Sequence, residues 1–280
     1  LDTEDPQAGY LLGKLYLLND QPKSAEKIFR AQLGRIGAQF TNDVRSRYYL
    51  GLSLAAREDY DAANHELGEL VKRNPNHFGA KLALAEILLR KGDPEAALAN
   101  VQSVIDGNNQ GQTESARFKA YYLLGQAHGA LNNSEKQIEA LKGAVNVRPR
   151  EDVIVELGTL SLRLGNDQEL GSYVRQCESI NCDTIDFHVL RVRSIHRSKA
   201  PVERVEASLS VALNKYPDEI RLLMLKGEVF ESSNSNTAIN SYLEVIAINP
   251  IKSEPYIAVA KLHMSNNLLD EAEAILMKGL

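Results

Sequence analysis

Tryptophan is missing from this chain, cysteine occurs twice and methionine three times in 280 residues. No run of about 18 apolar residues occurs, so no membrane-spanning helix is expected. Two cysteines, Cys177 and Cys182, are too few for a disulfide framework, and their surroundings decide whether they pair at all. They leave the redox compartment open. Positive charge is in deficit: 32 Lys and Arg face 37 Asp and Glu, a formal net charge of -5, which argues against bulk nucleic-acid binding. The 18 glycines and 9 prolines are scattered along the chain, which excludes a collagen-like or disordered tract. A nucleophile elbow, a phosphate-binding glycine loop and an HExxH pair are all lacking. Carboxylates such as Glu86 and Glu228 sit far apart in the sequence. Neither an enzyme nor a cofactor is therefore expected.

What the chain does contain is one pattern, written over and over. Its clearest copy is Arg47 to Pro75, RYYLGLSLAAREDYDAANHELGELVKRNP. Leu50, Gly51 and Leu54 share one helical face. Ala63, Leu67 and Leu70 share a face of a second helix, which Asn74-Pro75 stops. Neither helix is apolar all round, so each needs neighbours. The sequence supplies them as eight helical hairpins over 6–37, 44–75, 78–109, 118–149, 151–180, 186–217, 220–250 and 253–280. Polar stretches near Ile36–Asp43 and Asp106–Ser115 are expected to be loops between hairpins. Within hairpins, Gly92 ends one helix and Pro94 opens the next, and Ser134 is expected to cap a helix. The inner turn of the seventh hairpin reads one residue short.

A small residue marks each first helix: Gly13, Gly51, Ala85, Gly125, Gly158, Gly227 and Ala260, with Arg193 as the exception. Successive markers, Arg193 included, are 38, 34, 40, 33, 35, 34 and 33 residues apart. The two long gaps coincide with the two polar stretches. A hairpin cannot bury its apolar stripe alone, so stacking on the next is what folds it. The small marker lets the two helices approach, and Ala63, Ala97 and Ala272 do the same from the second helix. Arg193 therefore predicts a splayed first helix or a shifted register in the sixth hairpin, its guanidinium reaching solvent.

These residues resemble the tetratricopeptide repeat, a 34-residue helix–turn–helix module. In the first hairpin the motif falls on Tyr10, Leu12-Gly13, Tyr16, Ala25 and Phe29. In the second it falls on Leu50-Gly51, Leu54, Ala63, Leu67, Leu70 and Pro75. Gln137 and Arg193 depart from it. The resemblance covers nearly the whole chain and implies an all-α fold: a single αα-hairpin solenoid over 1–280, wound as a right-handed superhelix. It also implies a concave groove, lined mainly by first helices, that holds a peptide or a partner domain.

Projecting the period places Tyr10, Tyr48, Leu82, Tyr122, Val155, Leu190, Met224 and Ile257 in one groove-facing row. Lys14, Leu52, Glu86, Gln126, Thr159, Ser194, Glu228 and Lys261 form a second. Tyrosine offers contact area with a polar tip; the alternative is that the first row only packs one hairpin on the next. The Lys/Asn/Arg arrangement by which chaperone-binding members of the family clamp a terminal carboxylate is lacking. The most basic segment, His188 to Arg204, carries Arg191, Arg193, Arg197 and Lys199. It is either a receptor for an anionic partner or an ordinary solvated face. Cys177, Cys182, His188 and His196 have a superficial metal-ligand spacing, but Cys177 and His196 fall at core-like helical positions, so no metal site is expected. His128 and His263 stand where other hairpins have Tyr or Phe and read as packing residues.

The expected role is a non-enzymatic scaffold that organises a multiprotein assembly, with bacterial polysaccharide export or secretion as the setting the resemblance allows. A periplasmic or envelope-associated site is favoured over the cytoplasm. The other reading is a helper domain of a larger enzyme or export pore, or a direct binder of an anionic saccharide. The last second helix reaches Leu280 without a polar cap and leaves an apolar face, so further repeats or a domain beyond residue 280 are expected.

Overall fold

The computed structural model describes residues 5–35, 40–107 and 112–280, with side chains at 35 and 40–43 also left aside. Among the described residues there are sixteen helices and no strand. The helices gather into two compact units, residues 1–149 and 150–280.

In unit 1 the helices are α1 (Pro6–Leu18), α2 (Pro22–Arg35), α3 (Phe40–Ala56), α4 (Tyr60–Arg73), α5 (Phe78–Arg90), α6 (Pro94–Ile105), α7 (Glu114–Ala130) and α8 (Ser134–Val147). Each odd helix pairs with the even helix after it, and each even helix packs on the next odd one. First helices also touch in order, α1 on α3, α3 on α5 and α5 on α7. Unit 2 repeats the pairing with α9 (Glu151–Arg163), α10 (Asp167–Ser179), α11 (Ile185–Arg197), α12 (Val202–Lys215), α13 (Ile220–Phe230), α14 (Ser235–Ile248), α15 (Ser253–Ser265) and α16 (Leu269–Gly279), and there α11 touches the first helices α9 and α13. The architecture is the expected all-α, helix-pair solenoid type.

The marker residues earn their place through one contact. A Cβ built on Gly13 would lie 2.5 Å from the Phe29 ring, and one on Gly51 would lie 2.5 Å from Leu67. The same holds for Gly125 against Leu141 at 2.8 Å and Gly227 against Tyr242 at 2.3 Å. In each of these four hairpins a large second-helix side chain drops onto the bare backbone of the first. Gly158 is used differently, since its neighbour is Leu190 of the following hairpin. Gln137 is buried at the small position of α8, and Gly129 makes the room, a Cβ there falling 2.7 Å from the Gln137 amide nitrogen.

At Arg193 the register is kept and the pairing of the two helices is loose. Leu209, sixteen residues on, is buried at the usual place. However, α11 and α12 are the most loosely paired of the hairpins. The guanidinium leans outward to within 3.5 Å of Glu228.

Six of the eight inner turns share one closure. Backbone N–H groups of Gln21, Asp59, Asp93, Asn133, Asn166 and Leu268 donate to the carbonyl five residues back, at 2.8–3.0 Å. That bond needs a left-handed residue just before it. Gly92 (φ 79°) and Gly165 (φ 73°) supply it without strain, whereas Asp20, Glu58, Asn132 and Asn267 supply it with a side chain. The closing Asp or Asn then caps the next helix: Asp59, Asp93, Asn133 and Asn166 accept from the N–H three residues on, at 3.1–3.3 Å. The cap of α8 is thus Asn133, and the expected cap Ser134 is the first residue inside the helix. The seventh hairpin is one residue short, as its sequence indicates. Its turn lacks the left-handed residue, and Asn234 closes onto Phe230, four residues back, at 2.8 Å.

Two loop boundaries move. Residues 40–43 belong to α3, so the expected loop at 36–43 is shorter; positions 36–39 lie outside the described residues. Likewise α7 begins at Glu114, and 108–111 of the second polar stretch lie outside the described residues.

Candidate functional site

The first helices of unit 1 carry the candidate groove row. Tyr10, Tyr48 and Tyr122 are half-buried, so each divides its ring between helix packing and surface. Tyr10 and Tyr49 meet edge to face with ring centres 5.4 Å apart, and their hydroxyls lie 3.4 Å apart. Tyr48 packs on Tyr49 at 5.1 Å and on His77 at 4.9 Å. Burial and the nearby Glu86 charge push the Tyr48 hydroxyl pKa up, keeping it a hydrogen-bond donor. Tyr122 stacks on Phe118 with centres 6.1 Å apart. Leu82, in contrast, is buried against Val101, Val104 and Leu123 and presents no surface.

Charges flank this row. Lys14 and Arg45 are exposed, and the Arg45 guanidinium lies 5.7 Å from the Tyr10 ring centre. Glu86 takes Lys119 at 2.8 Å and Arg90 at 3.8 Å. Gln126 is half-buried one turn beyond Tyr122. Between α3 and α5 lies an open concavity of about 260 Å³, with Leu52, Ala55, Ala56, Ala83 and Ile87 as its apolar wall and Glu58, Tyr60, Glu86 and Arg90 as its polar lining. The two projected rows miss Ala55, Ala56 and Arg90. One more helical turn past each marker reaches all three.

In unit 2 the corresponding positions diverge. Val155 and Leu190 are buried, Met224 is half-buried, and Ile257 is exposed. The row is therefore mostly core there.

The basic segment turns out to be matched by acids. Arg191 pairs with Glu178 at 3.2 Å, Arg193 with Glu228, and Arg197 with Asp167 of α10. Lys199 is exposed in a left-handed turn. A neighbouring network ties α9, α11 and α12 together. Glu151 accepts from the backbone N–H of Asp183 and from both the N–H and hydroxyl of Thr184, at 2.7–2.9 Å. Asp183 in turn holds Lys215 and lies 3.2 Å from the buried His188.

Cys177 and Cys182 are free, buried thiols, and burial first, then the neighbouring thiol and carboxylates, pushes Cys177 well above its ordinary value. No group of three metal-ligating side chains occurs among the described residues. His196 is exposed rather than core-like, in the most loosely paired of the hairpins. His128 is buried and His263 half-buried, as packing residues.

Profiles described as tetratricopeptide repeat match residues 48–112 and 118–151. A comparison with curated proteins returns no match. Among solved structures, the chain is similar in fold to MamA, residues 41 to the end, from Desulfovibrio magneticus RS-1, at 24% identity and a TM-score of 0.54. That match covers 66% of this chain and 99% of the other. It is similar to the C-terminal part of a TPR repeat-containing protein from Cytophaga hutchinsonii at 14% identity and TM-score 0.67, covering 89% and 99%. It is also similar to PilF from Pseudomonas aeruginosa at 14% identity and TM-score 0.59, covering 80% and 97%.

Proposed function

From a chain that belongs to the tetratricopeptide repeat family, we propose a non-catalytic scaffold that holds a protein or peptide against the first-helix face of unit 1. The observation that carries this is the set of half-buried tyrosines on α1, α3 and α7 together with an open, partly apolar concavity between α3 and α5. Half-buried rings are pre-positioned by the helices behind them, so a partner gains their contact area at little cost in side-chain entropy. Stacked hairpins supply a rigid support on which such a row stays in register.

A photo-crosslinking residue placed at Leu52 or Gln126 tests this, with His65 on the exposed side of α4 as the control position. Adducts with a protein partner are expected from Leu52 and Gln126 and not from His65. Adducts from His65 alone would place the partner elsewhere and end the groove reading.

The finer assignment is assembly of envelope machinery in a bacterium, in polysaccharide export or secretion. It draws support only from the bacterial sources of the three similar folds. Fractionation of the native organism tests it: the chain is expected in the periplasmic or envelope fraction, and recovery in the cytosol would overturn it. Direct binding of an anionic saccharide at the basic segment is disfavoured by the ion pairs that occupy Arg191, Arg193 and Arg197.

A further inference from the structure

Resting on that groove reading, we propose that the ligand of unit 1 is an acidic peptide segment, read by three tyrosine–cation couples and one apolar notch. Each exposed-edge tyrosine has a cation one helical turn away on its own helix. Lys14 follows Tyr10 by four residues, Arg45 precedes Tyr48 by three, and Lys119 precedes Tyr122 by three. These spacings put each pair on one helix face. Arg45 also covers the Tyr10 ring of the preceding hairpin, at 5.7 Å.

The charge on this face is not balanced from within. Lys14, Arg45 and Lys119 are exposed. Lys14 and Arg45 have no ion pair among the described residues, while Lys119 and Arg90 share the single carboxylate of Glu86. In composition, the first helices of unit 1 hold seven Lys and Arg, one of which (Arg47) is paired with Glu66 of α4, against three Asp and Glu; those of unit 2 hold seven against six. In a chain of net charge -5, a cationic face is a local feature, and complementary charge on a partner gives it specificity and faster encounter.

A long polyanion does not suit this face. The cationic surplus is a handful of groups, and the acidic remainder of the chain repels an extended phosphate or uronate polymer. A short segment escapes that repulsion. Its carboxylates meet the cations, and one apolar side chain enters the notch of about 260 Å³ beside Leu52, Ala55 and Ala56.

Selection of random twelve-residue peptides, amidated at the C-terminus, against the full chain tests the assignment. The selected peptides are expected to be rich in Asp and Glu with at least one large apolar residue. Lys14→Ala, Arg45→Ala and Lys119→Ala are each expected to weaken them about threefold to tenfold with unchanged far-UV circular dichroism, because all three side chains are exposed. Peptides that are neutral or basic, yet are lost on Leu52→Gln, would overturn the acidic assignment and leave the groove reading standing. Peptides insensitive to Leu52→Gln, or no selected peptide at all, would remove the groove reading itself. A uronic-acid polysaccharide that displaces the peptides as well as the peptides displace one another would overturn the peptide class.

Discussion

A missing Cβ sets how closely the two helices of a hairpin approach. At Gly51 the space is filled by Leu67, so Gly51→Val forces the leucine off its rotamer or the helices apart, and a cost of about 1–3 kcal/mol is expected. Gly68, in the interior of α4, has nothing within 4 Å of a built Cβ. Gly68→Ala is therefore expected to stabilise by about 0.5–1 kcal/mol through helix propensity alone. Urea denaturation of the two variants separates them by sign. If both destabilise, the close approach at Gly51 is not what the glycine is for. Titration acts at this scale too. His77 accepts the Ala80 N–H at 3.0 Å through Nδ1, a bond only the unprotonated nitrogen can make, and burial holds its pKa below the ordinary 6.5. Burial, then the Lys136 charge, depresses His128 likewise. A depressed folded-state value means that the unfolded chain takes up protons first. Stability is then full above pH 6.5 and is lost as pH falls from there through the lower folded-state values. The melting temperature is expected to fall between pH 7.5 and 5.5, and His77→Asn, which caps without titrating, is expected to flatten that fall. Glu26 does not contribute in this window: burial raises its pKa, but Arg30 and Arg57 outweigh that and hold it below its ordinary 4.5.

Helical hairpins were readable because their period and markers are local in sequence, and every expected pair of helices is present. What escaped was whatever depends on contacts between hairpins. Gly158 looks like the other markers yet answers to Leu190 across the interface, and Gln137 looks like a fault until Gly129 is placed opposite it. Leu82 shares the helical register of the three tyrosines, but its burial depends on α6 and α7. The start of α3 was missed because Phe40–Asp43 carries no apolar repeat and no small marker. Turn chemistry gives a prediction at this level. Glu58 and Lys199 hold φ of 63° and 56°, a region that costs a residue with a Cβ about 1–2 kcal/mol. Glu58→Gly and Lys199→Gly are expected to recover part of that, about 0.5–1 kcal/mol net of the added chain freedom. In the seventh hairpin the equivalent change should do the reverse. Glu231 is right-handed (φ -50°), and its carboxylate accepts the Tyr242 hydroxyl at 2.7 Å. Glu231→Gly is therefore expected to destabilise by about 1–3 kcal/mol. Thermal melts of the three variants decide the matter, and stabilisation by Glu231→Gly would refute the assignment of the short turn.

At the scale of the whole chain, the two units each own a core. In unit 2, Val192, Val205, Leu209, Leu225, Val229, Phe230, Ala238, Tyr242, Val259 and Leu262 form one buried cluster, every member of which lies within 150–280. Unit 1 holds its own, around Phe29, Leu50, Leu54, Leu67, Leu70 and Ile87. Stacked repeats derive stability from their own hairpins and their nearest neighbours, so damage in one core should stay there. Residues 150–280 expressed alone are expected to give a helical spectrum and a cooperative melt, and Gly51→Val in the full chain should leave the transition of that unit where it was. Because tryptophan is absent, a single Trp introduced at an exposed site of α16, such as Met277, gives a reporter for unit 2 without competing emission. A shift of that reporter by Gly51→Val, matching the shift seen by circular dichroism, would mean that the chain unfolds as one cooperative body. Separate transitions would mean that the proposed binding face of unit 1 and the ion-paired face of unit 2 rest on independent supports, so that a partner engaging one would leave the stability of the other unchanged.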